Sequence, residues 1–175
     1  GIFLLSKKRS LKLVNLLDLV APILLLGQAI GRWGNFVNKE AYGYLVSNDF
    51  FKFFPFAVDI NGQWHYASFF YESLWNFIGF LILFLNVKKL KNVSGASVSL
   101  YFMWYSIGRI FIEQTRTDSL MIFGVFRISQ ILSIAIIILF SIYWHIRTRE
   151  NYFYIAYSGL VFTVIVLILK QYLLL

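Results

Sequence analysis

Apolar residues run almost unbroken through positions 13–31, 67–87, 94–112, 127–146 and 152–169, with short charged stretches between them. Each run is close to the ~20 residues that a helix needs to cross the hydrocarbon core of a bilayer. The pattern therefore predicts five spanning helices, and positions 1–6 read as the end of a sixth. On this reading the sequence is the C-terminal part of a longer chain, with 1–175 forming one membrane domain. The one long polar stretch, 38–64, predicts an outside-facing cap. Alternation from Phe53 to Ile60 suits a short strand, and Asn61-Gly62 is a turn signal. The expected fold class is all-α, a polytopic integral membrane helix bundle with a small cap.

Composition agrees with this reading. With 59% hydrophobic and only 14% charged residues, the chain lacks the charge to cover a soluble domain of its length. The formal charge of +8 is spread in a way that orients the helices. Lys7, Lys8, Arg9 and Lys12 share one loop, Lys88, Lys89 and Lys91 lie two crossings later, and Arg147 and Arg149 two crossings after that. The positive-inside rule makes their side cytoplasmic. The other side mixes Arg32, Lys39, Lys52, Arg109, Arg116, Arg127 and Lys170 with six acidic residues, Glu40, Asp49, Asp59, Glu72, Glu113 and Asp118. A nucleic-acid partner would call for a continuous basic stripe, which this chain lacks, so none is expected. The absence of cysteine excludes disulfides, thiolate metal sites and a cysteine nucleophile within the sequence. His65 and His145 lie far apart in the sequence and form no metal-ligand spacing.

The mixed side carries the candidate chemistry. Gln28, Arg32 and Asn35 share one face at the end of the first complete helix, with Asn38 and Glu40 just beyond. Tyr105, Arg109, Glu113 and Arg116 fall within roughly 80° of helical arc at the end of another. Such groups are costly at membrane depth and mark binding sites there. The planar fork of arginine matches two phosphate oxygens, so Arg32, Arg109 and Arg116 at one face suit an anionic lipid head group. Glu113, one turn beyond Arg109, is placed to orient it or to take a proton. The plainer alternative is an i,i+4 ion pair that only pins a helix end. Ser68, Glu72 and Asn76 line one face of the helix that follows His65. Asp18 reads either as a functional carboxylate or as one bonded to a neighbouring helix. Gly27-x-x-x-Gly31 predicts close approach of a neighbouring helix, and Trp64, Tyr66, Tyr71 and Trp75 read as interfacial anchors.

These residues lie in long ordered motifs. Gly31-Arg32-Trp33-Gly34-Asn35-Phe36-Val37-Asn38-Lys39-Glu40, followed by Gly43, resembles the signature of bacterial prolipoprotein diacylglyceryl transferases. The resemblance extends upstream through Asp18-Leu19-Val20-Ala21-Pro22. Downstream it takes in His65 with Phe70-Tyr71-Glu72-Ser73-Leu74-Trp75-Asn76, then Tyr105 to Glu113 and Arg116 to Leu120. Arg127, Gln130 and Ser133 also fit, so that it covers about 1–146. It implies a multi-pass enzyme of the bacterial plasma membrane, with no metal or organic cofactor, that moves the diacylglyceryl group of phosphatidylglycerol to the lipobox cysteine of a prolipoprotein. It also implies that Arg32 binds phosphatidylglycerol, with Asn35, Glu40 and Gly43 beside it, and that Arg109 and Glu113 form a second essential pair next to Tyr105. Arg32, Arg109 and Glu113 are therefore the expected catalytic residues. Substrate binding is expected of Arg32, Asn35, Asn38, Glu40, Gly43 and Tyr105, joined by Arg116, Asp18, His65 and Glu72.

The chain departs from the family pattern in three places. The family's histidine-glycine-glycine segment, with its proposed catalytic histidine, would fall before Gly1. Tyr66 stands where the family usually has proline after the histidine of the third motif. The run at 152–169 is an extra C-terminal helix. Two rival readings remain: a transporter or channel subunit with an outer anion site, and an inactive membrane fragment. The transporter would need polar groups through the bilayer, whereas 77–87, 132–142 and 155–169 are nearly all apolar.

Overall fold

The computed structural model describes residues 12–117, 120–122 and 126–148, and it is mostly helical. The elements are α1 (Leu13–Val37), β1 (Ala57–Ile60), β2 (Gln63–Tyr66), α2 (Ser68–Leu85), α3 (Val87–Leu90), α4 (Ala96–Glu113), β3 (Met121–Ile122), β4 (Phe126–Arg127) and α5 (Ile128–Thr148). The expected segments at 1–6 and 152–169, and Asp118, lie outside the described residues.

The first apolar run continues as helix to Val37, so the arginine-bearing signature forms the last two turns of α1, in keeping with the shared face of Gln28, Arg32 and Asn35. Arg32, Gly34 and Asn35 do not stop the helix. The stop comes where Lys39 and Ala41 take left-handed backbone, with φ of 54° and 55°. Among the described residues, α1 and α2 are long and apolar enough to cross a membrane. α4 falls short of that apolar character because Ser97, Ser99, Ser106, Arg109 and Glu113 interrupt it, all but Arg109 being buried. The apolar part of α5 spans Ile128–Trp144.

α1, α2 and α4 pack together, and α5 lies against α4. Ala21, Leu25, Leu83 and Tyr101 form the core of the three-helix unit, with Phe80 and Trp104 against them. Ile110 and Ile137 bury the seam between α4 and α5. Gly27 and Gly31, expected to seat a neighbouring helix, meet nothing within 4 Å among the described residues. The close approaches occur at Gly79 and Gly108, where an added Cβ would collide with Trp104 and Trp75 respectively.

At the basic-loop end, Asp18 ties α1 to the start of α4. Its two carboxylate oxygens accept from the backbone N–H groups of Gly95 at 2.6 Å and Val98 at 2.9 Å. A carboxylate there satisfies otherwise unpaired helix donors and meets the positive end of the helix dipole. Ser94 donates to Asn15 at 2.7 Å and adds a second tie. The loop turns at Gly95, whose φ of 88° favours glycine.

The cap at the opposite end contains the expected strand and turn. β1 and β2 pair antiparallel from Ala57 with Tyr66 to Ile60 with Gln63. Asn61 and Gly62 both have positive φ, as the two-residue turn between such strands requires. The segment from Gly43 to Val46 runs beside β2, with Gly43 N–H donating to Tyr66 carbonyl at 2.8 Å and Val46 N–H to Trp64 carbonyl at 2.8 Å. Tyr44 N–H donates to the Thr115 carbonyl at 3.0 Å, fastening the cap to the end of α4.

Candidate functional site

Glu72, in the second turn of α2, is the centre of the polar cluster, and its side chain is only 4% exposed. α2 starts directly after the cap hairpin, so Glu72 is drawn beneath the cap, facing α1 and α4. Arg32 reaches it from α1, with Nε 3.1 Å from Oε1. Arg109 reaches it from α4, with a guanidinium nitrogen 3.4 Å from Oε2. The other Arg109 terminal nitrogen lies 2.8 Å from Glu113, a buried carboxylate one turn along α4. Arg116, just past the end of α4, comes within 4.0 Å of Glu72.

Among the described residues, three guanidinium groups thus share two carboxylates. Buried carboxylates survive only with such partners, because unpaired charge is costly away from water. Arg32 and Arg109 keep side-chain exposures of 26% and 19%, which leaves donors open to an incoming anion.

The surrounding bonds fix the three helices at this level. Trp33 Nε1 donates to Ser73 Oγ at 3.1 Å, and Ser73 Oγ donates to the Ala29 carbonyl at 2.8 Å, joining α1 to α2 beside Arg32 and Glu72. Ser68 and Thr115 share a hydroxyl hydrogen bond of 3.0 Å between α2 and the segment after α4. Arg127, buried just before α5, donates to the backbone carbonyl of Glu113 and to the Tyr44 hydroxyl. Gln130 donates to the Ile110 carbonyl at 3.1 Å. Arg127, at the end of β4, and Gln130, in α5, therefore satisfy carbonyls at the C-terminal end of α4, where positive charge is favoured by the helix dipole.

The sequence that builds this cluster of arginines around one buried glutamate also matches known proteins. The family model described as prolipoprotein diacylglyceryl transferase matches residues 1–146. The chain belongs to that family. A phosphatidylglycerol–prolipoprotein diacylglyceryl transferase of Bacillus velezensis is 44% identical over 153 residues, 84% of this chain and 56% of its own length. The proteins of the same name from Halalkalibacterium halodurans and Bacillus mycoides are both 43% identical, over 85% and 83% of this chain and 53% and 56% of their own lengths. The chain therefore spans about half the length of these relatives.

In this diacylglyceryl transferase relative, not every residue expected at the site is brought to it. Asp18 is the clearest exception. It lies fourteen residues before Arg32 on the same helix, about 21 Å along the axis, and both its oxygens are engaged at the start of α4. His65 Nδ1 is 2.8 Å from the Gly43 carbonyl, and its ring packs on Tyr42, so it belongs to the cap wall. Gly43 is there for close packing: an added Cβ would lie 2.6 Å from the Thr115 carbonyl oxygen and 2.9 Å from Ser68 Oγ. Asn38 donates to Glu40 at 3.2 Å at the exposed end of α1, beyond the arginine cluster. Asn35 is half-buried one turn from Arg32. Tyr105 lies one turn from Arg109 on α4, its ring nearly parallel to that of Tyr101 at 6.3 Å. In the cap, the Lys52 ammonium 2.6 Å from Asp49 hydrogen-bonds its carboxyl and holds it below the usual carboxylate range.

Trp75 corrects the sequence reading. It is not an interfacial anchor but donates its indole N–H into α4, to the Trp104 carbonyl. Sequence reasoning also passed over Ser73 and Thr115 as linkers. A serine beside the one acidic residue of an apolar helix is the signal that could have found Ser73.

Proposed function

We propose that this chain forms the lipid-head-group part of an enzyme that transfers the diacylglyceryl group of phosphatidylglycerol to the lipobox cysteine of a prolipoprotein. The observation that carries this reading is the convergence of Arg32, Arg109 and Arg116 on buried Glu72, with Arg32 and Arg109 still part-exposed. The names and identities of the relatives support the same substrates. In the reaction the cysteine sulfur attacks the glyceryl carbon that bears the phosphate, and the thiol proton goes to a base. The carbon–oxygen bond breaks, a thioether forms, and glycerol phosphate leaves with one more negative charge than the diester carried. Arginines held in place before that charge develops stabilise the transition state more than the ground state. Arg32 and Arg109 grip the phosphate, Glu72 spaces them, and Glu113 fixes Arg109. Asn35, Tyr105 and Arg116 border the same volume.

The test is transfer of labelled diacylglyceryl from phosphatidylglycerol to a lipobox peptide by the full-length protein. Arg32→Lys keeps the charge but loses the two-pronged donor, and a charge-assisted hydrogen bond is worth about 1.5–3 kcal/mol. Transfer should fall at least about tenfold. Near-normal transfer by the lysine variant would remove Arg32 from phosphate recognition.

On the same reading α1, α2, α4 and α5 cross the plasma membrane within one domain, with Lys88, Lys89 and Lys91 inside and the cap outside. The arginine cluster then lies at the outer face, where a translocated prolipoprotein arrives. Single cysteines at 60 and 90 should behave oppositely toward an impermeant thiol reagent on intact cells, with only 60 labelled. Labelling at 90 alone would invert the topology.

A further inference from the structure

α2 and α4 carry the same short pattern, Trp75-x-x-x-Gly79 and Trp104-x-x-x-Gly108. The two helices run antiparallel, so each tryptophan meets the glycine of the other. An added Cβ at Gly79 would strike Trp104, and one at Gly108 would strike Trp75. The indoles stack with centroids 4.4 Å apart and planes 16° from parallel. Each also donates to the backbone of the opposite tryptophan: Trp75 Nε1 to the Trp104 carbonyl at 2.9 Å, and Trp104 Nε1 to the Trp75 carbonyl at 2.9 Å. A carbonyl has two lone pairs, so these bonds form without giving up the helical ones.

Apolar helix pairs can slide or rotate at little cost, because their ridges fit grooves in more than one way. Two directional bonds, a stacked ring pair and two glycine seats leave one fit. A slip of a single residue, about 1.5 Å, would break both bonds and drive each indole toward a position that carries a side chain. This clasp sits one turn from the charged cluster, since Glu72 is three residues from Trp75 and Arg109 is next to Gly108. The direct link between those helices in the cluster, Arg109 to Glu72, is 3.4 Å long and part-exposed. So loose a contact does not by itself set the register of two helices; along the helices proper the clasp does, with the Ser68–Thr115 bond beyond the end of α4.

We propose that Trp75 and Trp104 are positioning residues, whose reciprocal clasp holds Glu72 and Arg109 at the spacing the phosphate chemistry uses. The kinetic part of this inference rests on the transferase reading above. The test uses the full-length protein in lipid nanodiscs, with Trp75→Phe and Trp104→Phe, which keep an aromatic ring and remove the N–H. Benzothienylalanine at either position, with sulfur in place of the N–H at nearly the same shape, is the second variant should phenylalanine impair folding. Nitroxides on cysteines introduced at exposed Leu85 and Phe111 report the axial register of α2 against α4. In the variants the distance distribution should shift or broaden by about one residue rise, 1.5 Å. kcat should fall about tenfold or more with KM within about twofold, because lost preorganisation acts on the transition state. A pair that merely packs would lower the melting temperature and leave both readouts unchanged, and that result overturns the proposal. A shifted distance with unchanged kcat overturns it too. If the unmodified protein transfers no lipid, the transferase reading fails, and the nitroxide distances still decide whether the clasp sets the register.

Discussion

Replacing Glu72 by alanine should cost the cap end of the bundle about 3–5 kcal/mol and remove transfer, the largest effect expected of any single change in this chain. The glutamate side chain is 4% exposed and lies within 4.0 Å of three guanidinium groups. Without it, Arg32 and Arg109 lose the carboxylate they share, and their like charges repel between α1 and α4. The helices should part at that level and the arginines spread away from the geometry that grips phosphate. Thermal unfolding in detergent, measured beside transfer of labelled lipid, reads both effects. Glu72→Gln separates them, because it keeps the volume and removes the charge: it should recover part of the stability and little of the transfer. An alanine variant that melts normally and transfers normally would show that the arginines hold their places without Glu72.

The helices were legible because their apolar runs are continuous, and α2, α4 and α5 start and stop within a few residues of the pattern in the sequence. The hairpin was legible because Asn61-Gly62 takes a backbone that few other pairs accept. What stops α1 was not, since no residue between Gly31 and Val37 forbids helix and the stop depends on left-handed backbone at Lys39 and Ala41. Arg109 with Glu113 could be read from helical spacing alone. Glu72 as the centre could not, because its three arginines come from distant segments that only the packing brings together. The same limit applies to Asp18. A carboxylate in an apolar helix signals a polar partner, but whether that partner is substrate or the start of another helix depends on where α4 begins. Small-residue spacing was a partial guide: among the described residues Gly27 and Gly31 meet no neighbour, while close helix approaches fall at Gly79 and Gly108, each seating an indole.

Glu113→Gln should keep the fold and lower transfer about a hundredfold, the usual scale for losing a proton-handling group or a preorganised charge at a reacting centre. The competing account is a plain i,i+4 pair with Arg109, worth only about 0.3–0.5 kcal/mol when exposed. Two observations argue against that account. Glu113 is buried, with a side-chain exposure of 3%, and its carboxylate is 2.8 Å from Arg109, so the pair is not the exposed kind. The end of α4 is also held independently, by Arg127 on the Glu113 carbonyl and Gln130 on the Ile110 carbonyl. Those bonds use the backbone, which glutamine leaves untouched. The carboxylate is therefore not required to pin the helix, and on this reading it aims Arg109 beside Glu72. Melting temperature and transfer rate measured on one preparation decide between the accounts. A Glu113→Gln protein that is stable and transfers lipid at the unmodified rate would reduce the pair to a structural contact and leave Arg32 and Arg109 as binding groups alone.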